Sequence, residues 1–296
     1  MRTCVIFNPT ARGDKARHFR RHLDAVAHDA VLLMTSGPGD AGRLAAQAVR
    51  DGYETIVAAG GDGTLNEVVN GLAQASGALE RVRLGVLPLG TINVFARELG
   101  LSLWFEGGWK TILQGREIRV DLPRAEWRRA GERQVRYFCQ LGGAGLDARA
   151  IERVDWPLKK RVGPLAYVMA GIQALGEPAS TITVSGAGWK AAGELVLLGS
   201  GRRYGGGFHL FPDARLEDGQ LHGCVFPRAN WATLARVAPA LLLRRRLPET
   251  AVRRFHGTTL TLRAERDVPF ELDGELAGRL PVTFHVEPRR LRVIVP

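Results

Sequence analysis

An apolar run, Thr55-Ile56-Val57-Ala58, passes through Ala59-Gly60-Gly61-Asp62-Gly63-Thr64-Leu65-Asn66-Glu67 into Val68-Val69-Asn70-Gly71-Leu72-Ala73. The first run reads as a buried strand and the last as a helix. A strand that turns through glycines straight into a helix aims backbone N–H groups and the positive helix end at one point. Such a point binds phosphate. Gly60, Gly61 and Gly63 let the backbone approach a ligand with no Cβ in the way. The Thr64 hydroxyl can add one hydrogen bond. Asp62 is the odd member: a carboxylate facing a polyphosphate is repelled unless a cation lies between them or the carboxylate acts as a base. The run therefore points to phosphoryl chemistry with a divalent metal. The plainer alternative is a tight turn whose Asp caps the helix. The run is neither a Gly-Lys-Ser/Thr loop nor a Gly-x-Gly-x-x-Gly dinucleotide turn.

A second unit follows. Leu84-Gly85-Val86-Leu87-Pro88-Leu89 is another apolar strand, and it ends in Gly90-Thr91-Ile92-Asn93-Val94-Phe95-Ala96. Two such loops on successive strands converge at the carboxyl edge of a parallel sheet, where open α/β sheets bind ligands. The first part of the chain keeps this alternation. Strands are expected at residues 3–7 and 31–34, and helices at 16–27, 40–51 and 109–113. That order predicts a parallel sheet covered on both sides. From about Val120 the pattern changes to strand after strand, at 135–141, 181–185, 194–198, 220–225, 258–263, 268–272, 282–286 and 291–295. This predicts a β-sandwich or another sheet-rich second domain. Two helices, 165–175 and 231–243, interrupt it.

Composition narrows the partners. The hydrophobic content of 45% is ample for a globular core. No stretch approaches the roughly 18 apolar residues of a spanning helix. The three cysteines, Cys4, Cys139 and Cys224, are odd in number and far apart, which argues against a disulfide framework or a Cys-x-x-Cys metal site. A short N-terminal strand without a longer apolar region is not a signal peptide, and a cytoplasmic location is expected. The net charge of +11, from 41 Lys and Arg against 30 Asp and Glu, favours anionic partners. No basic stripe interleaved with aromatics supports nucleic-acid binding. His18 and His22 share a helix face at i,i+4, read as a solvated face because no carboxylate motif accompanies them.

Gly60 to Glu67, together with Leu87-Pro88-Leu89-Gly90-Thr91-x-Asn93, resemble the bacterial diacylglycerol kinase and sphingosine kinase family of soluble lipid kinases. The resemblance continues along the chain. It includes Asn8-Pro9, Thr35-Ser36-Gly37-Pro38-Gly39-Asp40-Ala41 and Gly143-Ala144-Gly145-Leu146-Asp147-Ala148. It also includes Tyr204-Gly205-Gly206-Gly207-Phe208, Pro212 to Gly219, and Asp273-Gly274-Glu275.

The resemblance implies a Rossmann-like, NAD kinase-like α/β catalytic domain over 1–122, with 287–296 returning to it, and a β-rich lipid-substrate domain over 123–286. ATP and Mg²⁺ are the implied cofactors and a lipid hydroxyl the acceptor. Thr35, Gly60, Gly61, Asp62, Gly63, Thr64, Leu65, Asn66 and Thr91 would bind the nucleotide. The final acidic loop would hold the base, Glu275 first and Asp273 next, with Asp62 the alternative. A structural Mg²⁺ would take Asp218 and the main-chain oxygens of Arg215 and Gln220, and Asp121 would join a metal-linked network with Asp62. Val94 is a departure, because many relatives carry Asp there; Ile92 also replaces a usually small residue.

The apolar run 231–243, followed by Arg244-Arg245-Arg246, suits an anionic bilayer surface, or else a core helix with a solvated basic end. Lys159-Lys160-Arg161 is a weaker case of the same kind. The expected setting is therefore cytoplasmic, peripheral on the inner face of the membrane, with a homodimer as a further expectation. The rival readings are an NAD kinase-like nucleotide kinase and a catalytically silent lipid- or nucleotide-binding protein.

Overall fold

The computed structural model describes residues 2–11, 14–153 and 179–296. The expected helix at 165–175 and Lys159-Lys160-Arg161 lie outside the described residues.

The N-terminal half builds a parallel sheet from β1 (Thr3–Phe7), β2 (Val31–Met34), β3 (Thr55–Gly60) and β4 (Arg83–Pro88), in the order β2-β1-β3-β4. Alternate residues face opposite sides, as the strand period requires. Cys4, Ile6, Ile56, Ala58, Leu84 and Val86 point into one core. Val5, Phe7, Val57, Ala59 and Leu87 point into the other. The first core is closed by α3 (Asp40–Arg50) and α4 (Asp62–Gln74), which approach so closely that a Cβ on Gly71 would lie 2.1 Å from Gly42 O. The second is closed by α1 (Asp14–Arg20), α2 (Leu23–Asp29) and α7 (Phe105–Gln114). The short helices α5 (Ala78–Arg81) and α6 (Val94–Glu98) flank β4.

The single helix expected at 16–27 is two. His22 N bonds Phe19 O at 2.9 Å, an i–3 contact, while the His22 ring takes the His18 carbonyl that a continuing helix would use. That competition between side chain and backbone ends α1.

Past α7 the chain enters β5 (Arg116–Arg129), β6 (Glu132–Tyr137), β7 (Leu141–Gly145) and α8 (Leu146–Glu152). After residue 178 come β8 (Ile182–Gly186), β9 (Trp189–Gly193), β10 (Leu195–Gly199), the two-residue strands β11 (Arg203–Tyr204) and β12 (Phe208–His209), and β13 (Leu221–Phe226). Helix α9 (Trp231–Arg244) follows. The chain ends in β14 (Arg253–Gly257), β15 (Thr259–Ala264), β16 (Pro269–Leu272), β17 (Glu275–Arg279) and β18 (Val282–Val295).

The order β14-β13-β10-β7-β16-β17 makes an antiparallel sheet. It packs on the antiparallel end of the first sheet, where β15, β8 and β9 extend from β18. Between them lies a sandwich core that includes Ala144, Val196, Leu198, Phe270 and Leu272 from one side and Val184, Leu260, Leu262 and Phe284 from the other. The architecture is thus a parallel α/β domain followed by an antiparallel β-sandwich.

One ribbon joins the two. β18 pairs antiparallel with β5 along its length, with an irregularity between Glu287 and Leu291. Its first half also pairs with β15, and Val293 pairs in parallel with Leu84 of β4. The two separate strands expected at 282–286 and 291–295 are therefore one bulged strand. The expected boundaries at 122/123 and 286/287 fall inside β5 and β18.

Candidate active site

The carboxyl ends of β1 to β4 bring Asn8, Thr35, the Gly60 loop and the Gly90 loop to one edge of the sheet. α4 begins at Asp62, so the N–H groups of its first turn have no intrahelical acceptor. The glycines are needed for close approach. A Cβ on Gly60 would lie 2.4 Å from Thr64 Oγ1, and one on Gly90 would lie 2.7 Å from Gly61 Cα. The two loops thus pack backbone to backbone. Asn8 Nδ2 donates to Thr64 Oγ1 at 3.1 Å, which ties the first loop to the second strand–helix junction. Thr35 is buried and its N–H bonds Phe7 O at 3.0 Å, while Thr91 is exposed.

Asp62 links the two loops. Its carboxylate accepts the backbone N–H groups of Val94, Asn93 and Phe95 at the start of α6. Burial, with the Asp273 charge adding to it, pushes its pKa from 3.8 up to about 6 against the pull of those donors. Asn93 holds the left-handed conformation at φ 52° and closes its own turn by accepting Gly90 N at 3.1 Å and donating to Gly90 O at 2.6 Å. Lys15 Nζ reaches Gly90 O at 3.3 Å. The Val94 side chain is buried.

The hairpin between β16 and β17 carries Asp273-Gly274-Glu275 to this edge. A Cβ on Gly63 would lie 3.0 Å from Glu275 Oε1, so the acidic loop meets the glycine loop directly. Glu275 Oε2 accepts Arg136 Nη2 at 2.5 Å. Asp273 is placed differently. Its carboxylate is buried and accepts the N–H groups of Cys139, Gln140 and Leu141 at 2.7, 2.9 and 2.9 Å, and Asn66 Nδ2 at 2.8 Å. Burial raises its pKa and those donors lower it. Its removal would strand three buried N–H groups, at roughly 1–3 kcal/mol each.

Of the two residues after Thr64 that were expected beside the nucleotide, Leu65 points into the core and Asn66 toward the acidic loop. The Leu65 side chain lies in the core and its N–H bonds Gly61 O at 3.1 Å. Asn66 is buried; besides its bond to Asp273, its Oδ1 accepts Arg136 Nη2 at 2.9 Å.

The chain matches the model of the diacylglycerol kinase catalytic domain over residues 2–125, and that of the YegS C-terminal NAD kinase beta sandwich-like domain over residues 142–295. A diacylglycerol kinase of Staphylococcus carnosus (strain TM300) is 30% identical over 305 residues, covering 100% of this chain and 95% of the relative. The chain belongs to the diacylglycerol kinase family. A diacylglycerol kinase of Staphylococcus aureus (strain MRSA252) is 29% identical, covering 100% of this chain and 92% of the relative. In fold, it superposes on a crystal structure of a Bacillus anthracis str. Sterne protein provisionally assigned as a diacylglycerol kinase. The TM-score is 0.80 at 22% sequence identity, covering 100% of this chain and 95% of that one. This protein is a lipid kinase.

Three features of this lipid kinase's site were not read from sequence. Arg136 bridges Glu275 and Asn66, but a lone arginine in a strand carries no signal. Glu67 caps the neighbouring helix, its carboxylate accepting Gly39 N at 2.9 Å and Ala41 N at 3.1 Å. Glu271 and Asp147 form a buried pair behind the acidic loop. Glu271 Oε2 accepts Gly274 N at 2.7 Å, and Asp147 accepts the Tyr204 hydroxyl. Burial pushes both carboxyl pKa values up.

The Asp218 turn lies apart. Asp218 accepts Arg215 N at 3.1 Å, Gln220 N at 2.9 Å and the His222 ring at 2.9 Å. Asp121 accepts Gly219 N at 2.6 Å and Arg289 N at 2.8 Å. Burial raises the Asp121 pKa and the nearby Asp218 charge raises it further. The direct hydrogen-bond partners of Asp121 thus belong to the Asp218 turn and the β18 bulge. No helix among the described residues is long and apolar enough to cross a membrane.

Proposed function

We propose that this lipid kinase transfers the γ-phosphoryl group of ATP to the hydroxyl of a diacylglycerol-like lipid at an anionic membrane surface, with Mg²⁺ as the metal. The observation that carries the reading is the meeting of Glu275 with Gly63. The acid side chain of one loop stands over the first helical turn of the other, so a hydroxyl held between them lies near both base and phosphate.

Mg²⁺ suits the site better than a softer ion, because Asp62 and the ATP phosphates would supply oxygen ligands and burial keeps the neighbouring Cys139 thiol protonated. The mutual repulsion that helps raise Asp62 is what a dication relieves. Asp62 would hold the ion, which when bound supplies neutralisation of phosphate charge. Asp121 and Asp218 repel one another in the same way, which supports a second, structural cation at the Arg215–Gln220 turn. The lone pairs of Asp218 that now accept N–H groups would then be shared with it.

The residues divide the work. The Gly60, Gly61, Gly63 and Thr64 backbone, with the Thr35 and Thr91 loops beside it, cradles the phosphates. Glu275 accepts the hydroxyl proton as the oxygen bonds to phosphorus and ADP leaves. Arg136 fixes the Glu275 carboxylate, and Asp273 holds the hairpin through the Cys139 to Leu141 backbone. Helix α9 supports the membrane part of the reading. Trp231, Leu242 and Leu243 are exposed, and Arg244, Arg245 and Arg246 follow them into solvent.

The test is turnover of γ-labelled ATP with Mg²⁺ over vesicles carrying diacylglycerol, monoacylglycerol, ceramide or a sphingoid base, with NAD as a soluble acceptor. Label in an extractable lipid phosphate, lost when Mg²⁺ is chelated, is the expected result. Label in NAD, or in no acceptor, would overturn it.

A further inference from the structure

His18 and His22 occupy one face of the α1–α2 segment, and the fold brings Glu106 to them from 84 or more positions away. His18 Nε2 lies 2.6 Å from Glu106 Oε1, and His22 Nε2 lies 3.9 Å from the same oxygen. The three candidate ligand atoms lie within 4.8 Å of one another, and they are the one such group among the described residues. We propose that His18, His22 and Glu106 form a binding site for a transition-metal dication of the Zn²⁺ class, separate from the phosphoryl-transfer site, which clamps the α1–α2 turn to the start of α7.

The chemistry selects the ion class. Two imidazoles and one carboxylate suit Zn²⁺ and its neighbours, whereas Mg²⁺ prefers an all-oxygen set. Around a tetrahedral ion with ligand bonds of about 2.0–2.1 Å, ligand atoms sit roughly 3.3 Å apart. The observed spacings bracket that value. The fourth position faces solvent, since Glu106 keeps 63% of its side-chain exposure and the histidines about a third.

The imidazoles are already oriented. His22 Nδ1 is 2.9 Å from the His18 carbonyl. A carbonyl only accepts, so Nδ1 carries the proton and the Nε2 lone pair is left to face Glu106. This outer hydrogen bond is the device that fixes a metal-binding histidine. The His22 ring also stacks on Phe105 at 4.5 Å, and Trp104 meets the His18 ring edge-on at 6.1 Å. Ligation uses the Nδ1–H tautomer of His18, with the ion taking the place of the proton now shared with Glu106. The clamp reaches the catalytic edge through α1, which carries Lys15 and its contact to Gly90 O.

The experiment is Zn²⁺ binding to the untagged, metal-free chain, measured by competition with a chromophoric chelator. The cysteines are buried and offer no competing thiolate. One Zn²⁺ per chain is expected. His22→Ala and Glu106→Gln should each weaken it by at least roughly tenfold, the scale seen when even an outer partner of a ligand is lost. Zn²⁺ should also raise the melting temperature of the parent and not that of the His18→Ala/His22→Ala variant. If alanine disturbs the α1–α2 turn, as read by circular dichroism, His22→Gln keeps an amide of similar shape and should show the same loss. No bound Zn²⁺ in the parent, or equal affinity in parent and variants, would overturn the proposal and leave a simple His18–Glu106 hydrogen bond.

Discussion

Asp62 serves two loops at once. It opens α4, and its carboxylate gathers the N–H groups that open α6. Its pKa of about 6 lies above the ordinary 3.8, so the proton returns as pH falls through about 6. The ionised form is the one that holds a cation and the Gly90 loop. Mg²⁺ affinity of the metal-free chain, where proton and cation compete for this carboxylate, is therefore expected to weaken as pH falls below about 6. An affinity that stays constant from pH 5 to 8 would contradict this. The glycines and Asp62 were legible because strand, turn and helix are contiguous in the chain. Their environment was not. Asn66 meets Asp273 across 207 positions, and Arg136 meets Glu275 across 139. Such pairs leave no local pattern, and the same holds for Glu106 beside His18.

Elements with a clean apolar period were legible to within a few residues. β3 and β4 were read from buried runs, and α9 from its apolar stretch. The β5–β18 ribbon was not. β5 alternates apolar residues with Arg119, Arg124 and Arg128, and in β18 Glu287-Pro288-Arg289-Arg290 reads as a break. In the fold, that break is a bulge with Arg289 at φ 49°. Charged residues are tolerated there because Pro288 and Arg289 are exposed and Arg290 pairs with Glu287 at 3.4 Å. Helix α9 makes its own prediction. Only Val237 within it is fully buried, so the apolar side has something left to cover. Neutralising Arg244, Arg245 and Arg246 should weaken binding to anionic vesicles by about 1 kcal/mol per charge, and salt should weaken the parent. Unchanged sedimentation with vesicles would show that α9 does not meet the membrane.

At the scale of the whole molecule, the sandwich exists to hold the acidic hairpin against the α/β edge, and it buries Asp147 and Glu271 to do so. Both folded pKa values lie above the unfolded values of about 3.9 and 4.3. The folded chain therefore keeps protons that the unfolded chain releases. The stability this contributes is full below about pH 4 and declines as pH rises toward the elevated folded values. Glu271→Gln removes that ionisation. Its urea midpoint relative to the parent should shift in the variant's favour between pH 4 and pH 8, and a constant difference would contradict the buried pair. The central claim is that the two halves complete one site where Glu275 meets Gly63. The direct measurement is kcat and ATP affinity for Glu275→Gln. General-base contributions are about 10²–10⁴-fold, so kcat should fall by that factor while ATP affinity barely changes. A variant that turns lipid over at the parent rate would contradict the account.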